Sequence, residues 1–183
     1  MPLALILAIS LGQAPTEPMR RDLHHYFAGE AVEAWAFGGL GAASIGAGVV
    51  LLTRGTDGAR GASVPLFAVG LIQLVLGVGL WARTPGQVAA LDTQLSASPG
   101  EYARSERTRM ARVMRGFALY KAVEVGLCFG GIGLAGIGGV TRSDFALGAG
   151  LSLAVEALAM LILDFFAEAR GTTYEGALLG YRF

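Results

Sequence analysis

The chain has 183 residues, of which 54% are hydrophobic and only 15% charged, with a mean hydropathy of +0.56. Soluble domains carry about 25% charged residues, so a water-soluble globular domain is excluded as the default. Fourteen Lys and Arg balance fourteen Asp and Glu, which leaves no charge excess for nucleic acid. A single cysteine, Cys128, and two histidines exclude an internal disulfide and a Cys/His zinc site.

Residues 1–14 hold an apolar run of nine residues followed by small ones. The run is too short to span a bilayer, and no Lys or Arg precedes it. It reads as a signal-like segment, more consistent with an uncleaved stretch lying at the interface than with a cleaved leader.

Four stretches then reach the roughly 20 apolar residues that a crossing needs: 31–52, 62–82, 116–140 and 145–167. Turn and capping residues separate the members of each pair, Thr53 to Gly61 in one and Thr141 to Asp144 in the other, so each pair predicts a tight helical hairpin. The chain divides into 1–14, a first hairpin repeat at 15–83, a polar amphipathic connection at 84–109, a second hairpin repeat at 110–170 and a tail at 171–183. Two start signals, Thr84-Pro-Gly-Gln87 and Ser98-Pro-Gly-Glu101, predict a short helix near 85–95 and another beginning at Pro99 that runs into the third span. Gly171 reads as a helix stop, with Thr172 to Glu175 starting a short surface helix.

Ten arginines fall on the side of the termini and the connection: Arg20, Arg21, Arg83, Arg104, Arg107, Arg109, Arg112, Arg115, Arg170 and Arg182. Arg54, Arg60 and Arg142 fall opposite. The positive-inside rule places both termini in the cytoplasm, with the protein in a plasma or inner membrane.

The two hairpins read as copies. Met19 to Glu33 lies on Met110 to Glu124 with a shared Ala-Val-Glu ending, and Phe37-Gly-Gly falls on Phe129-Gly-Gly after a one-residue shift. That extra residue predicts a π-bulge near 124–129. Two parallel copies imply a repeat about an axis along the membrane normal. The fold expected is an all-α integral membrane four-helix bundle made of two tandemly duplicated transmembrane hairpins.

Small residues recur every fourth position on the first and third helices at Gly38, Gly39, Gly46, Gly126, Gly130, Gly131 and Gly139. In lipid, where hydrophobicity does not drive helices together, such faces let backbones pack closely. They predict packing of the first helix on the third, with a homo-oligomer seam or partner membrane helices as the other use.

Intramembrane carboxylates are expensive and suggest function. On a 1.5 Å ruler from the arginine-rich side, Gln73, Glu124 and Glu156 lie about 13 to 15 Å deep and Glu33 about 12 Å, which predicts one polar layer with a side chain from each helix. Lys121 is expected to pair with Glu30 across the pseudo-axis, and Glu168 with Arg109 or Arg112. His24 and His25, and the aromatics Trp35, Trp81, Tyr102, Tyr120 and Tyr174, read as interfacial residues.

No phosphate loop, nucleophile elbow, catalytic triad or carboxylate-bridged metal motif is present in the sequence, so no catalytic residue, metal or cofactor is assigned. Three functions fit: a carboxylate site for proton or cation movement at Glu33, Glu124 and Glu156, a non-catalytic structural or accessory subunit gripping partner helices by its glycine faces, or, with the least in the sequence to support it, a membrane enzyme. All three make the lipid bilayer a partner.

Overall fold

The structure, a computed structural model, describes residues 16–181, so the signal-like segment lies outside the described residues. Four helices account for nearly all of it: α1 (Thr16–Arg54), α2 (Asp57–Ala97), α3 (Pro99–Thr141) and α4 (Asp144–Gly180). Each is long and apolar enough to cross a membrane. They contain 39, 41, 43 and 37 residues, or about 56 to 65 Å, roughly twice the 30 Å hydrocarbon thickness of a bilayer.

The chain turns between helices are short. Gly55 takes a φ of 71° after α1, and Thr56 then caps α2 by accepting from the Ala59 N–H at 3.3 Å. After α3, Arg142 takes the left-handed conformation at φ 59°, and Ser143 caps α4 by accepting from the Ala146 N–H. Thr56 and Ser143, Asp57 and Asp144, and Gly61 and Gly148 hold the same register positions in their two helices.

The polar connection contains no separate short helix, because α2 runs through Pro85 to Ala97. Its Thr84 does not cap a new helix. The hydroxyl instead donates to the Leu80 carbonyl at 2.7 Å and lies 2.7 Å from Glu30 Oε1, inside the α2 helix. The second start signal, at Pro99, does open a helix, and it continues unbroken into the third apolar stretch. No π-turn interrupts 124–129. Gly171 does not stop α4. It is buried where α3 presses on it, its missing side chain leaving room for Met114, and the helix runs on to Gly180.

Along their length the four helices form two zones. At the arginine-rich end, Met19, Leu23, Tyr26 and Phe27 of α1, Leu95 of α2, Tyr102 and Met110 of α3, and Tyr174 and Leu178 of α4 make a conventional apolar core. In the other zone the polarity reverses. Large apolar side chains point outward over 32–52, 64–81, 119–140 and 145–166, a belt about 26 to 32 Å tall on each helix. Within it Glu33, Glu124, Glu156 and Asp164 are all buried, and Lys121 is half-buried.

Glycines hold the belt zone together, by a different pairing from the one expected. A Cβ on Gly41 of α1 would lie 2.5 Å from the Gly70 carbonyl of α2, and one on Gly131 of α3 would lie 2.7 Å from the Gly150 carbonyl of α4. Both contacts are within a hairpin. The hairpins meet through their second helices, where Gly61 lies against the Phe145 carbonyl and Gly148 against the Gly58 carbonyl. Helix α1 therefore packs on α2, and α3 on α4, rather than α1 on α3. A short turn forces each first helix against its own return helix, so its small face is used there.

Candidate functional site

The buried polar side chains of the belt divide into three sets rather than one layer. In the first, Glu156 of α4 accepts from the Ser44 hydroxyl of α1 at 2.5 Å and from the Gln73 amide of α2 at 2.9 Å. Gln73 is completely buried. One carboxylate thus binds three helices, and each of its oxygens has a donor.

The second set lies toward the arginine-rich end of α1. Glu33 pairs with Arg170 of α4 at 2.6 Å. Glu30, one turn earlier, takes Thr84 and Arg83 of α2 at 2.7 and 3.5 Å. Gly29 makes room for Arg170, whose Cδ and Nε occupy the space a side chain there would fill. Glu30 and Lys121 therefore do not pair.

The third set joins α3 and α4. Lys121 pairs with Glu168 at 2.5 Å, and its ammonium also lies over the Phe165 ring at 5.2 Å. Glu124, one turn deeper, meets the carboxyl of Asp164. Glu168 consequently pairs with neither Arg109 nor Arg112.

Arg109 is held elsewhere, at the centre of the apolar core. It forms two hydrogen bonds to Glu106, at 2.7 and 2.6 Å, and lies over the rings of Tyr26 and Phe27. Tyr174 donates to Glu106 at 3.1 Å, meets the Tyr102 hydroxyl at 2.6 Å and stacks on Tyr26. Burial pushes the phenols of Tyr26, Tyr102 and Tyr174 above the ordinary tyrosine range. Tyr102 and Tyr174 are thus core residues, whereas Trp35, Trp81 and Tyr120 are exposed near the belt edge. Arg107 closes the end of α4 by donating to the carbonyls of Leu178 and Tyr181. His24 lies 2.7 Å from Asp92 of α2.

No protein-family model, curated protein or solved structure matches the chain. Function therefore rests on the geometry.

Of the residues singled out by sequence, Gln73 and Glu156 meet in the first set, Glu33 stands in the second, and Lys121 and Glu124 share the third. Gly131 sits at a helix contact, and Gly38 is approached by Gly77. Among the described residues, nothing lies within 4 Å of a Cβ placed on Gly39, Gly46, Gly126, Gly130 or Gly139. The sequence reading missed Ser44, Arg170 and Asp164 as partners. A serine on a glycine face and an acid one turn inside a span end were the available signals.

A groove of about 310 Å³ between α1 and α4 is lined by Asp22, His25, Tyr26, Arg170, Thr173 and Tyr174, with Phe166 at its belt end. A second, of about 340 Å³, runs between α1 and α2 under Trp35 and Trp81 and is almost wholly apolar.

Proposed function

We propose that this chain is an integral membrane protein whose helices cross the bilayer over the apolar belt and continue into a helical head on the arginine-rich side. The observation that carries this reading is the belt itself: outward apolar side chains at matching heights on all four helices, with every charged residue in that range turned inward. Its height matches the hydrocarbon core of a bilayer. Water would make so much exposed apolar surface an aggregation hazard.

Within that frame we assign a non-catalytic structural or accessory role. Glu156, the deepest carboxylate, is supplied with donors by Ser44 and Gln73, as expected of a side chain that fastens helices. The glycines with open faces, Gly39, Gly46, Gly126, Gly130 and Gly139, are the surfaces on which a second copy or a partner helix would pack. The reciprocal contacts of Gly61 with Phe145 and of Gly148 with Gly58 support descent from a duplicated hairpin. The arginine count supports a cytoplasmic head and cytoplasmic termini.

Single cysteines introduced into a Cys128→Ser background test this. In sealed vesicles, a membrane-impermeant maleimide should label Ala90→Cys and Arg104→Cys from the cytoplasmic side and Asp57→Cys from the other. Ile72→Cys and Ile132→Cys should stay unlabelled from both. Labelling of those two belt positions as fast as Ala90→Cys overturns the reading.

A further inference from the structure

At the level where α3 meets α4, acids outnumber cations. Glu30 has Arg83, Glu33 has Arg170, and Glu168 has Lys121. Glu124 and Asp164 are left over, and they face each other. Glu124 is 4% exposed and Asp164 8%. The Glu124 Oε2 atom is fully buried and has no donor among the described residues.

Ionised carboxylates are acceptors only, so two of them cannot hydrogen-bond to each other. Adjacent and away from water, they also repel. One proton between them removes both difficulties, since it turns one carboxyl into a donor and halves the charge. A metal ion is the poorer occupant. Divalent cations call for at least three protein ligands here, and among the described residues no group of three His, Cys, Asp or Glu side chains is placed to supply them.

The surroundings fit a proton. Lys121 and Glu168 stand one turn nearer the arginine-rich end, their side chains 25% and 26% exposed. From α1 the facing charge is Glu33, tied to Arg170. On α2 at this level, Arg83 and Gln73 are engaged by Glu30 and Glu156. We propose that Glu124 and Asp164 form a proton-binding dyad, which holds one proton between two carboxyls and exchanges it with the arginine-rich side past Lys121 and Glu168.

This inference rests on the membrane reading, because water at these faces would let each carboxyl ionise separately. The test is infrared spectroscopy of the full chain in lipid nanodiscs at neutral pH. The expected result is a protonated-carboxyl C=O band that moves on transfer to D2O and is lost in both Glu124→Gln and Asp164→Asn, while Glu156→Gln retains it. A wild-type spectrum unchanged by Glu124→Gln and Asp164→Asn overturns the dyad. A band present in wild type but retained in either Glu124→Gln or Asp164→Asn also overturns it, since the proton would then not be shared by the pair. Failure to enter nanodiscs at all would count against the membrane reading instead, so the two failures are distinct.

Discussion

The Gln73 amide of α2 donates to Glu156 Oε2 of α4 at 2.9 Å, joining the two hairpins in the middle of the belt. Gln73 keeps its own carbonyl oxygen buried and without a donor among the described residues. Glu156→Gln should therefore cost little once the Gln73 amide turns over, because the new amide then donates to the Gln73 carbonyl while its own carbonyl still accepts from Ser44. Gln73→Leu should cost about 1 to 3 kcal/mol, since a buried carboxylate oxygen loses its donor. Equilibrium unfolding in mixed micelles checks both, and a Glu156→Gln loss as large as that of Gln73→Leu would refute the assignment.

The four membrane-length helices and the places where α1 and α3 end were legible from hydropathy and from the capping residues at Thr56 and Ser143, whereas the two extra short helices expected near 85–95 and after Gly171 are parts of α2 and α4. Pairing was not. An apolar helix in lipid carries no polar face to show its inner side, so the periodicity that orients a soluble helix is missing. Gly61 and Gly148, each of which leaves no room for a side chain where the hairpins meet, lie at helix starts outside the glycine-rich stretches of α1 and α3. Depth along the helix was readable for Gln73 and Glu156, which meet, but Glu124 meets Asp164, two turns nearer the arginine-rich end than Glu156, and Glu33 meets Arg170, nearer still, so the expected single layer fails in depth as well as in azimuth. The connection was misread because Pro85 resembles a helix start. Proline inside a helix is tolerated where the freed carbonyls find other donors.

Glycine substitutions should separate internal packing from outer surface. Gly61→Val or Gly148→Val puts a side chain into backbone of the facing helix, which overpacks the α2/α4 crossing and should cost about 1 to 3 kcal/mol or separate the hairpins. Gly39→Ala and Gly130→Ala meet nothing within 4 Å among the described residues and, because alanine favours a helix interior over glycine, should raise the monomer's stability by up to about 1 kcal/mol and not lower it. Unfolding midpoints measure the first effect, and cross-linking in lipid measures the second. A loss of cross-linking for Gly130→Ala in a monomer that is no less stable would locate a helix partner on that face.

Arg142 closes α3 with a φ of 59°, a conformation that Gly55 adopts freely after α1. A side chain in the left-handed region costs roughly 1 to 2 kcal/mol, and glycine returns part of that through its greater freedom when unfolded. Arg142→Gly should thus stabilise the chain by up to about 1 kcal/mol, and Arg142→Val should destabilise it. Thermal unfolding in detergent decides this, and a lower midpoint for Arg142→Gly would contradict it.

The head should show an alkaline limit. Tyr26, Tyr102 and Tyr174 have phenols raised by burial, so in the folded chain they stay neutral at pH values where free tyrosine ionises. The sign follows directly: below the ordinary tyrosine value of about 10 both states are protonated and stability is intact, whereas above it the unfolded chain gains by ionising. Stability should fall as pH rises above about 10 and be nearly flat with respect to these groups below it. Tyr174→Phe should flatten the alkaline decline, while at neutral pH it forfeits the bond to Glu106, worth about 1.5 to 3 kcal/mol for a charged acceptor. Tyrosinate absorbance followed beside helix content checks the coupling, which requires buried phenols to titrate with unfolding. Ionisation of all tyrosines while the helices remain intact would contradict the buried network.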